Sequence, residues 1–250
     1  MAAASTSSTP GEPGSRLSLL GRVFGVFLKP RATFEDIARR PTWILPTVLL
    51  SVLALGLSLL FIQKVDLASY LRNQADQNTK FAQLPQDRQD ETLHSRVVLA
   101  RYSLGLNVLV PGLLIGVVAC FYWLAINAAS GAGLRYATVA GVVAHGLMPW
   151  GLLEVVALIL LALKPPGMLD TQNLVKTSLG AYLPTGSPAW LVSLGGSLEL
   201  FWIWSLALIA IGLWTANPRK ISRAAAFGTV FGLWLVWIVA KVGWTAFFGA

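Results

Sequence analysis

Apolar residues in this chain gather into long runs separated by short polar or basic stretches. Runs of around 20 residues match the hydrocarbon core of a bilayer. Five membrane spans are predicted, at residues 43–62, 104–127, 136–163, 189–214 and 225–248. Pro111 stands near the start of the second. The third is long and carries Pro149, which predicts a kink or two packed pieces, because proline removes a helical hydrogen bond and crowds the preceding turn.

The polar segments have patterns of their own. Residues 1–15 are rich in Ala, Ser, Thr, Pro and Gly without periodicity, the composition of a disordered tail. Residues 16–42 read as two cytosolic interfacial helices. In the first, Leu17, Leu20, Phe24 and Phe27 recur at helical spacing opposite Arg16, Arg22 and Lys29, which predicts an amphipathic helix lying in the headgroup plane. In the second, Thr33 and Asp36 have capping-box spacing, and Arg39, Arg40 and Pro41 end it. Residues 64–103 are charge-mixed. Pro85, followed by Asp87, Asp90 and Glu91, marks a helix start, and Leu93, Val97, Ala100 and Leu104 carry one face into the second span. An extramembrane helical hairpin is expected there. The Pro- and Gly-rich stretch 164–188 has room for a short helix around 171–179.

Composition sharpens the picture. Of the 250 residues 55% are hydrophobic and only 12% charged, half the usual share of a soluble domain, so a water-soluble globule is excluded. The fold class is all-α: a polytopic integral membrane protein, a bundle of five transmembrane helices within residues 43–250 with an N-terminal amphipathic interfacial helix. The net charge of +8 does not point to nucleic acid, because the basic residues flank membrane ends instead of interleaving with aromatics. Lys29, Arg31, Arg39, Arg40, Arg135, Arg219, Lys220 and Arg223 fall on one side of a five-span arrangement. Asp66, Asp76, Asp87, Asp90, Glu91 and Asp170 nearly balance the positives on the other. This places the N-terminus in the cytosol and the C-terminus outside or in a lumen.

Catalytic and metal motifs are missing. His94 and His145 are the only histidines and have no paired metal spacing, and no nucleophile elbow or phosphate loop occurs. His145 reads as a hydrogen-bonded packing residue. Cys120, the only cysteine, lies in an apolar run and reads as a small buried residue, which excludes intrachain disulfides and cysteine metal sites. No enzyme activity, metal or cofactor is expected. The candidate chemistry lies inside lipid, where ionisable groups are costly and mark a function or a pair. At 1.5 Å per residue, Glu154, Glu199 and Lys241 lie about 12–15 Å from the outer span ends, on three helices. They form either an ion-sensitive polar centre or a structural clamp in which protonated glutamates bond nearby backbone and Lys241 snorkels outward. Gly112/Gly116 and Gly228/Gly232 permit close helix contact, with other membrane proteins, with a second copy or within the bundle. Trp43, Trp123, Trp190, Trp214 and Trp244 sit near span ends, where indoles anchor.

Three segments carry a family resemblance. Lys29-Pro-Arg-Ala-Thr-Phe-Glu-Asp-Ile-Ala-Arg-Arg-Pro41 resembles the entry segment of Yip-domain (Ypt-interacting-protein) membrane proteins, especially prokaryotic ones. Tyr136-Ala-Thr-Val-Ala-Gly-Val-Val-Ala-His-Gly-Leu-Met-Pro149 resembles the third span of that family. Leu198-Glu-Leu-Phe-Trp-Ile-Trp204, with Gly212, Leu213 and the basic turn to Ser222, resembles its fourth span and return. The resemblance implies five transmembrane helices, a cytosolic N-terminus, no catalytic activity and a place in a prokaryotic cytoplasmic membrane. Eukaryotic relatives contact Rab-type GTPases through an acidic Asp-Leu-Tyr motif, which is absent here: before Arg16 the only acid is Glu12. Two functions follow as expectations, a scaffold or membrane-organising protein with the bilayer as partner, and a small ion-coupled permease using Glu154, Glu199 and Lys241.

Overall fold

The computed structural model describes residues 17–76, 81, 83–165, 174–184 and 186–248. The tail at 1–15 and the first part of the short helix expected at 171–179 lie outside the described residues. Within them the protein is helical, and no strand occurs beyond one isolated bridge between Ser178 and Glu199. Four stretches are long and apolar enough to cross a membrane: Ile44–Lys64, Gln86–Ser130, Tyr136–Leu163 and Arg223–Phe247.

The chain opens with α1 (Leu19–Leu28), started by Ser18, whose hydroxyl accepts the Gly21 N–H. Pro30 then begins α2 (Pro30–Arg39), where its missing N–H costs nothing. The expected arrangement of α1 is corrected in one respect. Arg22 does not face solvent; it is 5% exposed and turned into the protein. Its guanidinium donates to Asp36 at 2.8 Å, to the Arg40 carbonyl at 3.0 Å and to Thr42 at 2.8 Å. Phe27 also turns inward, its ring edge-on to Trp204. What α1 leaves exposed is apolar: Leu19, Leu20, Phe24 and Leu28, with Leu17 just ahead of the helix. α2 is seated in the core, with Phe34 and Ile37 fully buried.

The first long helix, α3 (Ile44–Lys64), is followed by α4 (Leu67–Ala75), capped by Asp66, and by α5 (Gln86–Leu106). Hydrogen bonds from Ser69 and the Ala68 N–H hold the exposed Asp66 carboxyl below its ordinary pKa. α4 packs on α5 around Ala75, Phe81 and Leu93, with Arg72 2.7 Å from Asp90. A short 3₁₀ turn, Asn107–Leu109, joins α5 to α6 (Val110–Ser130), next to Pro111. Cys120 is exposed on α6, not buried as expected, because the neighbouring Ala119 takes the inward position and one residue is about 100° of helix rotation.

The third apolar stretch is two helices, α7 (Tyr136–Gly146) and α8 (Met148–Leu163), parted at Leu147 just before Pro149. α7 is the central element, buried at every residue from Thr138 to Gly146. His145 is among them, with Nδ1 2.9 Å from the Gly141 carbonyl. The expected single span 189–214 is likewise broken, into α9 (Ala189–Ser197) and α10 (Leu200–Ala216). Last comes α11 (Arg223–Phe248). α10 packs against α2, α7, α8 and α11, and α3 packs against α6 and α8. Gly212 of α10 makes the seat for α2: a Cβ there would stand 2.5 Å from Val142 and 2.9 Å from the Phe34 ring.

Candidate functional site

The break between α9 and α10 explains where Glu199 sits. Gly195 and Gly196 weaken the helix, and Glu199 supplies a cap for a new one. Its Oε1 accepts the Phe201 N–H at 3.0 Å and its Oε2 the Trp202 N–H at 2.6 Å. Those N–H groups are the orphan donors of the α10 N-terminus, where the helix dipole also favours a carboxylate. The freed backbone finds partners in an extended segment beside it: Leu179 N–H donates to the Leu198 carbonyl and Leu200 N–H to the Thr177 carbonyl, both at 3.2 Å. A Cβ on Gly180 would lie 2.7 Å from the Gly196 nitrogen, so this segment reaches α9 only through glycine. Non-helical backbone at membrane depth persists where such partners exist.

Glu199 and Lys241 are level with each other. Counted from the turn they share, Glu199 stands about 26 Å along α10 and Lys241 about 27 Å along α11 at 1.5 Å per residue. They line one groove of about 290 Å³ with Ser197, Trp202, Trp234 and Trp237. No ion pair joins them; the Lys241 ammonium donates instead to Ser197 Oγ at 3.1 Å. Glu154 lies elsewhere. It is 7% exposed on α8, and it lines a neighbouring cavity of about 360 Å³ with Ala54, Leu57, Asn107, Val110 and Pro111. Its Oε2 is buried without a hydrogen-bond partner. Trp150 and Leu153 line both cavities, which therefore adjoin there. Two of the three charged residues are thus brought together on one groove, and the third lines the adjoining cavity.

Two features escaped the sequence reading. The Gly-Gly-Ser-Leu-Glu run at 195–199 was the available signal for a helix break with an acidic cap. The Arg22–Asp36 clamp had a weaker one, a single arginine inside an apolar run. The glycine pairs also differ. Beta carbons at Gly112 and Gly116 would touch Thr47 and Tyr136, and the Tyr136 hydroxyl donates to the Gly116 carbonyl at 2.9 Å, so that pair serves contacts within the bundle. At Gly228 and Gly232 nothing lies within 4 Å. Among the described residues no group of three His, Cys, Asp or Glu side chains is placed to hold a metal ion.

No curated protein and no solved structure matches the chain. A family model, the Yip1 domain, matches residues 24–245, from α1 to the last turns of α11. That match takes in the α1–α2 entry, the helix broken before Pro149 and the α10–α11 return, and with several helices apolar enough to span a bilayer this chain belongs to the Yip1 domain family of multi-pass membrane proteins.

Proposed function

We propose that this Yip1-domain protein is a non-enzymatic scaffold that organises the membrane around it, with α1 as its interfacial anchor. The observation that carries this reading is the turned face of α1: Arg22 is drawn inward by Asp36, and Leu17, Leu20, Phe24 and Leu28 stand exposed. An exposed apolar ridge gains stability only in contact with lipid or a partner. α9 and α10 together make a fifth crossing, with the N-terminus cytosolic and the C-terminus on the far side, in a prokaryotic cytoplasmic membrane. The unfilled Gly228/Gly232 face of α11 is the side available to a second copy or another membrane protein.

The test is the depth of α1 in the full chain. In a Cys120→Ser background reconstituted in liposomes, spin labels at positions 20 and 24 should collide more with dissolved oxygen than with a water-soluble nickel chelate. The reverse preference at both positions would end this reading.

One observation favours a second reading, a small ion-coupled permease: the orphaned Oε2 of Glu154 beside a cavity. Glu154 and the Glu199–Lys241 pair line different cavities, which weighs against a single shared site. Proteoliposomes separate the two. Ion or proton flux that Glu154→Gln abolishes favours the permease, and flux no greater than in empty liposomes favours the scaffold.

A further inference from the structure

A second cluster of charge, remote from the Glu199–Lys241 groove, forms where α2, α10 and α11 meet. Trp214, near the end of α10, carries two guanidinium groups on its ring: Arg31 of α2 at 5.1 Å from the ring centroid and Arg223 of α11 at 4.3 Å. The guanidinium carbons are therefore no further apart than those two distances laid end to end. Both side chains are exposed. Arg31 has a partner in Glu35 at 3.1 Å, whereas no ion pair among the described residues involves Arg223. Cation–π contact with the indole holds each arginine individually, and the two positive charges on one ring favour an anion placed near both.

The surroundings point to which anion. Arg223 is the first residue of a helix long enough to cross the membrane, so it stands at the level of the lipid headgroups. The dipole of α11 adds positive potential at that end. One turn further along α11, Phe227 is exposed and stacks on Phe231 at 6.0 Å, giving an apolar flank next to Arg223. Phosphate above and acyl chain below is the shape of a phospholipid. Basic pockets between helices at a membrane boundary bind such headgroups, and the planar guanidinium fork suits phosphate oxygens.

We propose that Arg31 and Arg223, both stacked on Trp214, hold the phosphate of an anionic phospholipid, which fastens α2 to the start of α11. The lipid then bridges the N-terminal helices and the last span, both of which pack against α10.

The experiment uses the purified full chain in mild detergent, titrated with phosphatidylglycerol, phosphatidylcholine or inorganic phosphate, with retained lipid read by native mass spectrometry and the thermal midpoint followed alongside. Phosphatidylglycerol should bind and raise the midpoint; phosphatidylcholine should do so far less. Arg223→Gln and Arg31→Gln should each weaken phosphatidylglycerol binding about tenfold, the scale of one charge-assisted hydrogen-bonding group. Arg223→Lys should fall between, since it keeps the charge and loses the fork. Arg39→Gln removes the same charge from α2 away from Trp214 and should leave binding unchanged. Equal losses in Arg39→Gln and Arg223→Gln would overturn the site in favour of diffuse surface charge. A midpoint rise with inorganic phosphate matching that with phosphatidylglycerol would overturn the lipid assignment. Unaltered binding when Arg31→Gln and Arg223→Gln are combined would overturn both.

Discussion

A charge in a membrane protein is defined by its partner, and the buried or half-buried charges of this chain have unlike ones. Arg22 is held by three acceptors, and Asp36 across from it is partly buried, its side chain 23% exposed. Removing one member of such a pair strands the other, at a cost of about 3 kcal/mol, whereas replacing both is far milder. Arg22→Leu should therefore lower the thermal midpoint sharply, and Arg22→Leu with Asp36→Leu should recover part of the loss. Additive losses in that double-mutant cycle would contradict the clamp. Glu199 and Lys241 should behave in the opposite way. Each bonds its own partner, Glu199 the α10 N-terminus and Lys241 the Ser197 hydroxyl, so Glu199→Ala should cost about 1 kcal/mol as a lost helix cap. Combining it with Lys241→Met should give losses that add within about 0.5 kcal/mol. A rescue in the double variant would reveal direct coupling of the two charges. Arg22, Glu199 and Lys241 were visible in the sequence as isolated charges in apolar runs. Their partners were not, because a partner 14 positions away, as Asp36 is from Arg22, is chosen by how two helices fold back on each other.

Element by element, packing decides what local pattern leaves open. Leu17, Leu20 and Phe24 have the spacing of an amphipathic helix in the sequence alone, but spacing does not say whether the arginine or the leucine side faces the protein. α2 settled it by folding beneath α1 and offering Asp36. The seat of α2 depends on Gly212, where even a methyl group would press on Val142 and Phe34. Gly212→Ala should thus destabilise the protein by about 1–3 kcal/mol, the cost of overpacking. It should also expose position 37, so that a cysteine placed there in a Cys120→Ser background labels faster. Gly228→Ala is the matched control. With nothing within 4 Å it should be neutral or stabilising by up to about 1 kcal/mol through helix propensity alone. A destabilised Gly228→Ala variant would mean that a second chain occupies that face.

For the molecule as a whole, the topology turns on whether α9 and α10 together cross the membrane. α10 has 17 residues, about 26 Å of helix, slightly short of a hydrocarbon core of about 30 Å. If α9 completes the crossing, single cysteines near Gly14 and at Ala250 in the Cys120→Ser background should react with membrane-impermeant reagent from opposite sides. Reaction from one side would mean that α9 and α10 return to the face they started from. The sequence by itself determined that the chain is a multi-pass membrane protein, that it is helical, and which family it joins. Those follow from the length and apolarity of each run and from short motifs, which are local quantities and survive any arrangement of the runs. Only the tertiary structure decided that the fourth run breaks at Glu199, that Arg22 turns inward, and that Glu154 and Lys241 line different cavities. Each of these depends on which backbone and side-chain groups arrive from distant helices to satisfy hydrogen bonds and fill space. In lipid, where water cannot supply the missing partner, that arrival decides whether a polar group can be tolerated at all.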